Sequence, residues 1–272
     1  MILKNKFFNK FEMPNLAQFA QLLMLSVYII IAWFYLGLLR PTNFYYVIIY
    51  SFVLDAVLNL MPKRRTATGK IKFPVTGFVV GCALALLLES QNIWLYILAS
   101  SVAIGSKTLI QTDGKHVFNP ANIGIISALV LSGGKCTVNI AQWSGASWVL
   151  SIMFIMGFIV AFMAKRINVS LSYLISFFFF SSIYSYFTHL PLLFLPGSLL
   201  GISTILFAFH MITDPATTPS DPKKQLLVGL FVAFFNILLY ANNILYAQLL
   251  ASLIVVSLNN FIQGFRRDIQ IA

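Results

Sequence analysis

The chain has 272 residues, of which 59% are hydrophobic and 9% charged, and its mean hydropathy is +0.87. A soluble domain carries about a quarter charged residues, so this much apolar surface excludes a single soluble core. The net charge of +11 would suggest a nucleic-acid partner in a soluble protein. Here the basic residues sit in short loops between apolar runs, which the positive-inside rule explains without nucleic acid.

The first residues, MILKNKFFNKFEMPN, lack the small-residue cleavage site of a signal peptide and read as a cytoplasmic interfacial segment, 1–15. Ten apolar segments come after it, near 16–36, 42–61, 73–89, 92–110, 118–132, 146–164, 168–187, 191–211, 225–241 and 244–263. A bilayer of ~30 Å hydrocarbon thickness needs about 20 helical residues, so the third and fifth are short. Short segments interrupted by Gly or Pro are what broken helices look like in transporter folds.

Charge counting tests the ten-segment reading. With the N-terminus inside, the outside loops keep only Arg40 and Lys135 of the 18 basic residues. Removing one segment would scramble that division. The expectation is therefore an all-α polytopic membrane protein with both termini cytoplasmic and a single membrane domain over 1–272.

Ten spans divide into five plus five, with repeat one over about 16–135 and repeat two over about 140–265. An odd number of spans per half makes the repeats face opposite ways. The third segment holds Pro74, Gly77 and Gly81, and the eighth holds Pro196, Gly197 and Gly201 at nearly the same spacing. Glycines so placed predict close backbone approach between helices.

Few polar groups stand inside these segments. Asp55 lies in FVLDAVLNLM, where an ionisable group is costly and by default a functional candidate. The alternative is a carboxylate reaching toward the basic loop Lys63–Lys72. Glu89 closes the third segment at the outer interface. His210 and Asp214 are four apart, which on a continuing helix would share a face, but Pro215 predicts that the helix stops. His116, beside Lys115, and His189, in an outer loop, read as solvated side chains. Cys82 and Cys136 are too few for a disulfide framework or a cysteine metal site, and no HExxH motif exists. No catalytic constellation and no metal site are predicted.

Two polar turns remain. GSKTLIQTDGKHVFNPANIG runs from Gly105 to Gly124, and within it Asn119 can cap a helix that Pro120 opens. TDPATTPSDPKK runs from Thr213 to Lys224 and looks like its counterpart. The first closely resembles the SK...GKHIFNPA-type turn of the RnfD/NqrB family, membrane subunits of ion-pumping electron-transport complexes. The second resembles the family's ATDP...P...G turn after the eighth helix. Thr76 and Gly77 match the TG that opens its third helix, and AQWSGASWVLSIMFIMG from Ala141 is similar to the start of its sixth. The matches are in register over about 75–265.

The resemblance implies a ten-helix inverted-repeat fold related to urea-transporter-like channels, in a bacterial cytoplasmic (inner) membrane. It implies electron relay through a flavin, coupled to Na⁺ or H⁺ movement, with other complex subunits as partners. It further implies an FMN on a Thr between helices five and six, often accompanied by non-covalent riboflavin. At that place this chain has SGAS, with Ser147 where the Thr should stand, a short loop and no preceding acid. Two readings are open: a phosphoester on Ser147, or loss of the flavinylation segment in a shortened or stand-alone relative. Asn119, Pro120, Thr213, Asp214 and Pro215 are expected to shape the two turns, as ligand contacts or as helix caps alone. A channel or carrier for a small solute, and a membrane anchor for a redox or biosynthetic partner, stay open beside the redox reading.

Overall fold

A computed structural model describes residues 11–34, 41–61, 69–112, 115–138, 147–192, 194–195, 197–198, 201–244 and 246–271. Helices carry nearly all of its regular structure. They are α1 (Leu16–Phe34), α2 (Pro41–Asn59), α3 (Val75–Leu87), α4 (Ile93–Leu109) and α5 (Pro120–Leu131), followed by α6 (Ser147–Met163) and α7 (Ile167–Phe187). Then come α8 (Ile202–Leu206, continuing as a π-helical turn over Phe207–Met211), α9 (Pro222–Ala241) and α10 (Ala247–Ile271). Each predicted apolar segment overlaps one of them. Two, Ile167–Phe187 and Pro222–Ala241, are long and apolar enough to cross a membrane.

Local chemistry explains where several helices begin. At α1, Asn15 Oδ1 accepts from the Gln18 N–H at 2.9 Å while Gln18 Oε1 accepts from the Asn15 N–H at 3.0 Å, a reciprocal capping box. Asn92 caps α4 through the Trp94 N–H, and Asp221 caps α9 through the N–H groups of Lys223 and Lys224, with Pro222 at the first helical position. At α3 the preceding residue is Pro74, which offers no side-chain cap. Asp55 supplies it from α2 instead. Its Oδ2 accepts the Gly77 N–H at 2.9 Å, so a carboxylate buried to 1% exposure meets an orphan N–H at the positive end of a helix. Gly77 permits this approach, because a Cβ there would stand 2.4 Å from the Ser51 carbonyl and 2.7 Å from Asp55 Cβ.

Short strands tie the ends. Phe11–Glu12 (β1) runs parallel to Ile71–Lys72 (β2), and Leu88–Glu89 (β3) runs antiparallel to Thr137–Val138 (β6). Gln111–Thr112 (β4) and Lys115–His116 (β5) form a small hairpin. No periodicity announced the pairing at Phe11 and Glu12, and residues 1–10 of the interfacial segment lie outside the described residues.

The eighth segment differs most from expectation. Among the described residues the α-helix runs from Ile202, about ten residues beyond the predicted start near 191. Among the described residues nothing lies within 4 Å of a Cβ on Gly197, and a Cβ on Gly201 meets its own turn at Ser198 and Ser203. The glycine likeness with the third segment therefore reflects no like packing; Pro196 lies outside the described residues.

The core is formed between helices. Helix α3 packs on α1, α2, α4 and α5, and the π turn of α8 packs on α6 and α7. Helix α2 packs on α4 as α7 does on α9, and α4 packs on α5 as α9 does on α10. Contacts also join α1 to α6 and α5 to α10. Tyr28, Met153, Tyr173, Phe207 and Phe209 are fully buried at these junctions, and Cys82 is one of the core side chains.

Candidate functional site

The end of α8 exposes carbonyls that a continuing helix would have satisfied. Here those of Phe207, Ala208, Phe209, Met211 and Ile212 find donors. The Ile212 N–H bonds to Phe207 O at 3.1 Å, which closes the π turn. The Ser170 hydroxyl from α7 donates to Ala208 O, and the Thr213 hydroxyl donates to Phe209 O, both at 2.6 Å. Asn119 Nδ2 donates to Met211 O at 2.9 Å, and the Thr218 hydroxyl donates to Ile212 O at 2.6 Å.

Asn119 therefore has two roles. Its Oδ1 accepts the Asn122 N–H at 3.0 Å and caps α5, as the sequence predicted. Its amide nitrogen ties that cap to α8. Thr213 and Thr218 of TDPATT act likewise on the end of the helix that precedes them. Arg166, at the junction of α6 and α7, adds its guanidinium to the carbonyls of Thr218 and Pro215.

The two polar turns meet through a second contact. His116 Nε2 lies 3.0 Å from Asp214 Oδ2, with the two side chains 14% and 19% exposed. The expectation that His116 is solvated is corrected: the hairpin β4–β5 presents its ring to the carboxylate. The pairing of His210 with Asp214 does not form. Asp214 Oδ1 accepts the Ala216 N–H at 3.0 Å, an Asx turn. Burial pushes the Asp214 carboxyl up, but the His116 hydrogen bond and charge, the Ala216 N–H and the Lys107 charge pull it down further. The carboxyl ends below its ordinary value.

Beside this junction lies a cavity of about 400 Å³, within the size range of small-ligand sites. Its walls come from α1, α3, α6, the π turn of α8, both polar turns and Lys72. Leu25, Val79, Val80, Val160 and Phe209 form an apolar side; Gln18, Gln21, Lys72 and Lys107 form a polar one. Lys107 Nζ hydrogen-bonds the Thr76 hydroxyl. Among the described residues no group of three or more His, Cys, Asp and Glu is placed to hold a metal ion.

Six of the singled-out positions line this one cavity: Thr76, Asn119, Pro120, Thr213, Asp214 and Pro215. Gly77 does not; it faces α2. Ser147 opens α6, thirteen residues before the cavity-lining Val160, or ~20 Å along a helix. The loop before it, 139–146, lies outside the described residues.

Sequence reasoning missed Gln18 and Gln21 as lining groups, although the capping spacing of Asn15 and Gln18 was there to read. It also missed Tyr28, whose hydroxyl approaches His210 Nε2 at 3.4 Å. That pair is separated by 182 residues and leaves no local signal. No protein-family model matches the chain, and no curated protein matches it.

Proposed function

We propose that the chain is a ten-span membrane protein of two inverted five-helix halves. In this reading it is a shortened relative of the RnfD/NqrB subunits that holds a flavin non-covalently between the halves. It relays electrons for an oxidoreductase complex, with coupling to Na⁺ or H⁺ movement there. The observation that carries the reading is convergence: six positions drawn from both polar turns and from α3 line a single cavity.

Ten spans are supported by large apolar side chains turned outward, among them Ile155 at 57%, Phe162 at 65%, Ile175 at 70% and Phe179 at 59% exposure. Lipid is the solvent that makes such a surface favourable. The inverted repeat is supported by the packing scheme. Pairs α1–α3, α2–α4 and α4–α5 recur as α6–α8, α7–α9 and α9–α10, and helices five apart in order meet at α1–α6 and α5–α10. A two-fold axis in the membrane plane produces both patterns.

The lining fits a flavin's two-sided character. A flat, largely apolar ring system suits the wall of Leu25, Val79, Val80, Val160 and Phe209. Its electron-rich carbonyl edge suits Lys107, which the Thr76 hydroxyl steadies, and Lys72. A bound flavin supplies the redox chemistry itself. The protein's residues position it, exclude water and set the charge around it. Ser147 stands at the far end of α6, so a phosphoester there would serve a different place from this cavity. The reading uses the cavity and not Ser147.

Purified protein from flavin-replete cells is expected to be yellow, to release riboflavin or FMN on denaturation, and to retain less of it in Lys107→Met. A colourless protein without flavin by mass spectrometry would overturn the reading. The cavity's position between the halves also suits a small-solute pathway. Uptake of urea-sized solutes into proteoliposomes by a colourless protein would select that alternative. Co-purification of a redox or biosynthetic partner with a colourless protein that transports nothing would select an anchor.

A further inference from the structure

We propose that the cavity is a blind pocket, entered from the end that carries the two polar turns, and that it takes an amphipathic anion whose charged group rests at Lys72. The choice of flavins as probes rests on the reading above; the polarity of the pocket does not.

The lining is graded along the helices. On α1 it includes Gln18, Gln21 and Leu25, spaced three and four apart and so on one face. On α3 it includes Thr76, Val80 and Ala83, at the same two spacings. Each stripe begins polar and turns apolar over seven residues, ~10 Å of helix. Gln18 and Lys72 are exposed, whereas Leu25 and Val80 are buried.

Positions further along the same faces close the deep end. Tyr28, three residues beyond Leu25, is fully buried and donates its hydroxyl to Met153 O on α6 at 3.1 Å. Met153 stands seven residues before the lining residue Val160, so this bond joins the two faces beyond the lining. Between them, a Cβ on Gly157 would meet Phe209 Cβ at 2.8 Å. Helix α6 therefore lies directly on the π turn of α8.

The open end is cationic. Lys72 stands at the rim, and Lys107 is held at the first turn of α3 by its hydrogen bond to Thr76. Among the described residues the one acid in the lining, Asp214, is engaged by His116 and by the Ala216 N–H. Glu12, the neighbour of Lys72 across the paired strands, is not part of the lining. An apolar body gains by entering the buried chamber. An anion gains by staying at the rim, where a cation meets it and water still reaches it. In a flavin the ring is the apolar body, and a phosphate on its side chain supplies the anion. FMN is therefore favoured over riboflavin.

The experiment uses the full chain in membrane vesicles and in nanodiscs. Gln21→Cys places a thiol midway down the pocket, and the native Cys82 and Cys136 are buried. An impermeant sulfonate-bearing methanethiosulfonate is expected to reach it from the side that labels Ser220→Cys and not from the other. At low salt this reagent is expected to react about tenfold faster than its trimethylammonium counterpart, each rate taken relative to a free thiol. That ratio is expected to fall toward one in Lys72→Gln. FMN is expected to bind roughly tenfold more tightly than riboflavin, a preference lost in Lys72→Gln and kept in Lys72→Arg. Labelling from both sides, no preference for the anionic reagent, or equal binding of the two flavins overturns the proposal. Failure of both flavins to bind removes the flavin reading, while the thiol rates still decide the side and the charge of the pocket.

Discussion

His116 and Asp214 are 98 residues apart in sequence, yet His116 Nε2 reaches Asp214 Oδ2 at 3.0 Å. This contact joins the turn before α5 to the turn after α8. The Asp214 carboxyl is held below its ordinary value, so its contribution to stability is full above the ordinary carboxylate range. It is lost as pH falls through the depressed value. The thermal midpoint of the wild type is expected to drop in that acid window. Asp214→Asn is expected to lose about 2 kcal/mol at neutral pH, the worth of a charge-assisted contact, and to show a shallower acid limb. An identical acid limb in the variant would show that the carboxylate adds nothing.

The two hydrogen bonds of Asn119 can be separated. Asn119→Ser keeps an N-cap acceptor for the Asn122 N–H but loses the bond to Met211 O. It is expected to cost about 1 kcal/mol. Asn119→Ala loses both and is expected to cost about 2 kcal/mol. Thermal melting of the two variants side by side measures the difference, and equal losses would mean that the cap carries no weight.

Two glycines give opposite expectations. In Gly77→Ala the new methyl would meet the Ser51 carbonyl at 2.4 Å, a backbone obstacle that cannot swing aside. A loss of about 3 kcal/mol is expected, read as aggregation on size-exclusion chromatography or a lowered melting point. Gly105 lies inside α4 with nothing within 4 Å of its Cβ position. Gly105→Ala is expected to gain about 0.5–1 kcal/mol from helix propensity, and a loss there would mean that the site is crowded.

Topology is open to a labelling test. His189 and Ser220 are both exposed, and the ten-span reading puts them on opposite sides of the membrane. In intact cells, a membrane-impermeant thiol reagent is expected to label His189→Cys but not Ser220→Cys, which should react only after permeabilisation. Cys82 and Cys136 are buried thiols and should give little background. Labelling of both variants in intact cells would discard the ten-span arrangement.

Local signals were legible in the sequence and distant ones were not. Each apolar segment overlaps a helix because hydrophobicity is written residue by residue. Asn119–Pro120 and Asp221–Pro222 mark helix starts because a cap and its N–H lie within three positions. The eighth segment showed Pro196, Gly197 and Gly201, but an apolar run does not show that its end would widen into a π turn. Pairings such as Asp55 with Gly77, His116 with Asp214 and Tyr28 with His210 depend on how helices meet, and no spacing along the chain encodes them. The six positions around the cavity were found as parts of two turns and of α3; that they share one wall is a fact of packing.

The cap that Asp55 lends to α3 bears on how the protein is made. Asp55 leaves the ribosome 22 residues ahead of Gly77, so α2 carries a carboxylate without its final partner while α3 is still being synthesised. Helix α3 spans only thirteen residues and brings no cap of its own. In the ten-span reading neither helix is ready for lipid alone. The two are expected to leave the insertion machinery together, as a hairpin closed by one carboxylate, and substitution of Asp55 should then be felt first in biogenesis rather than in the finished fold.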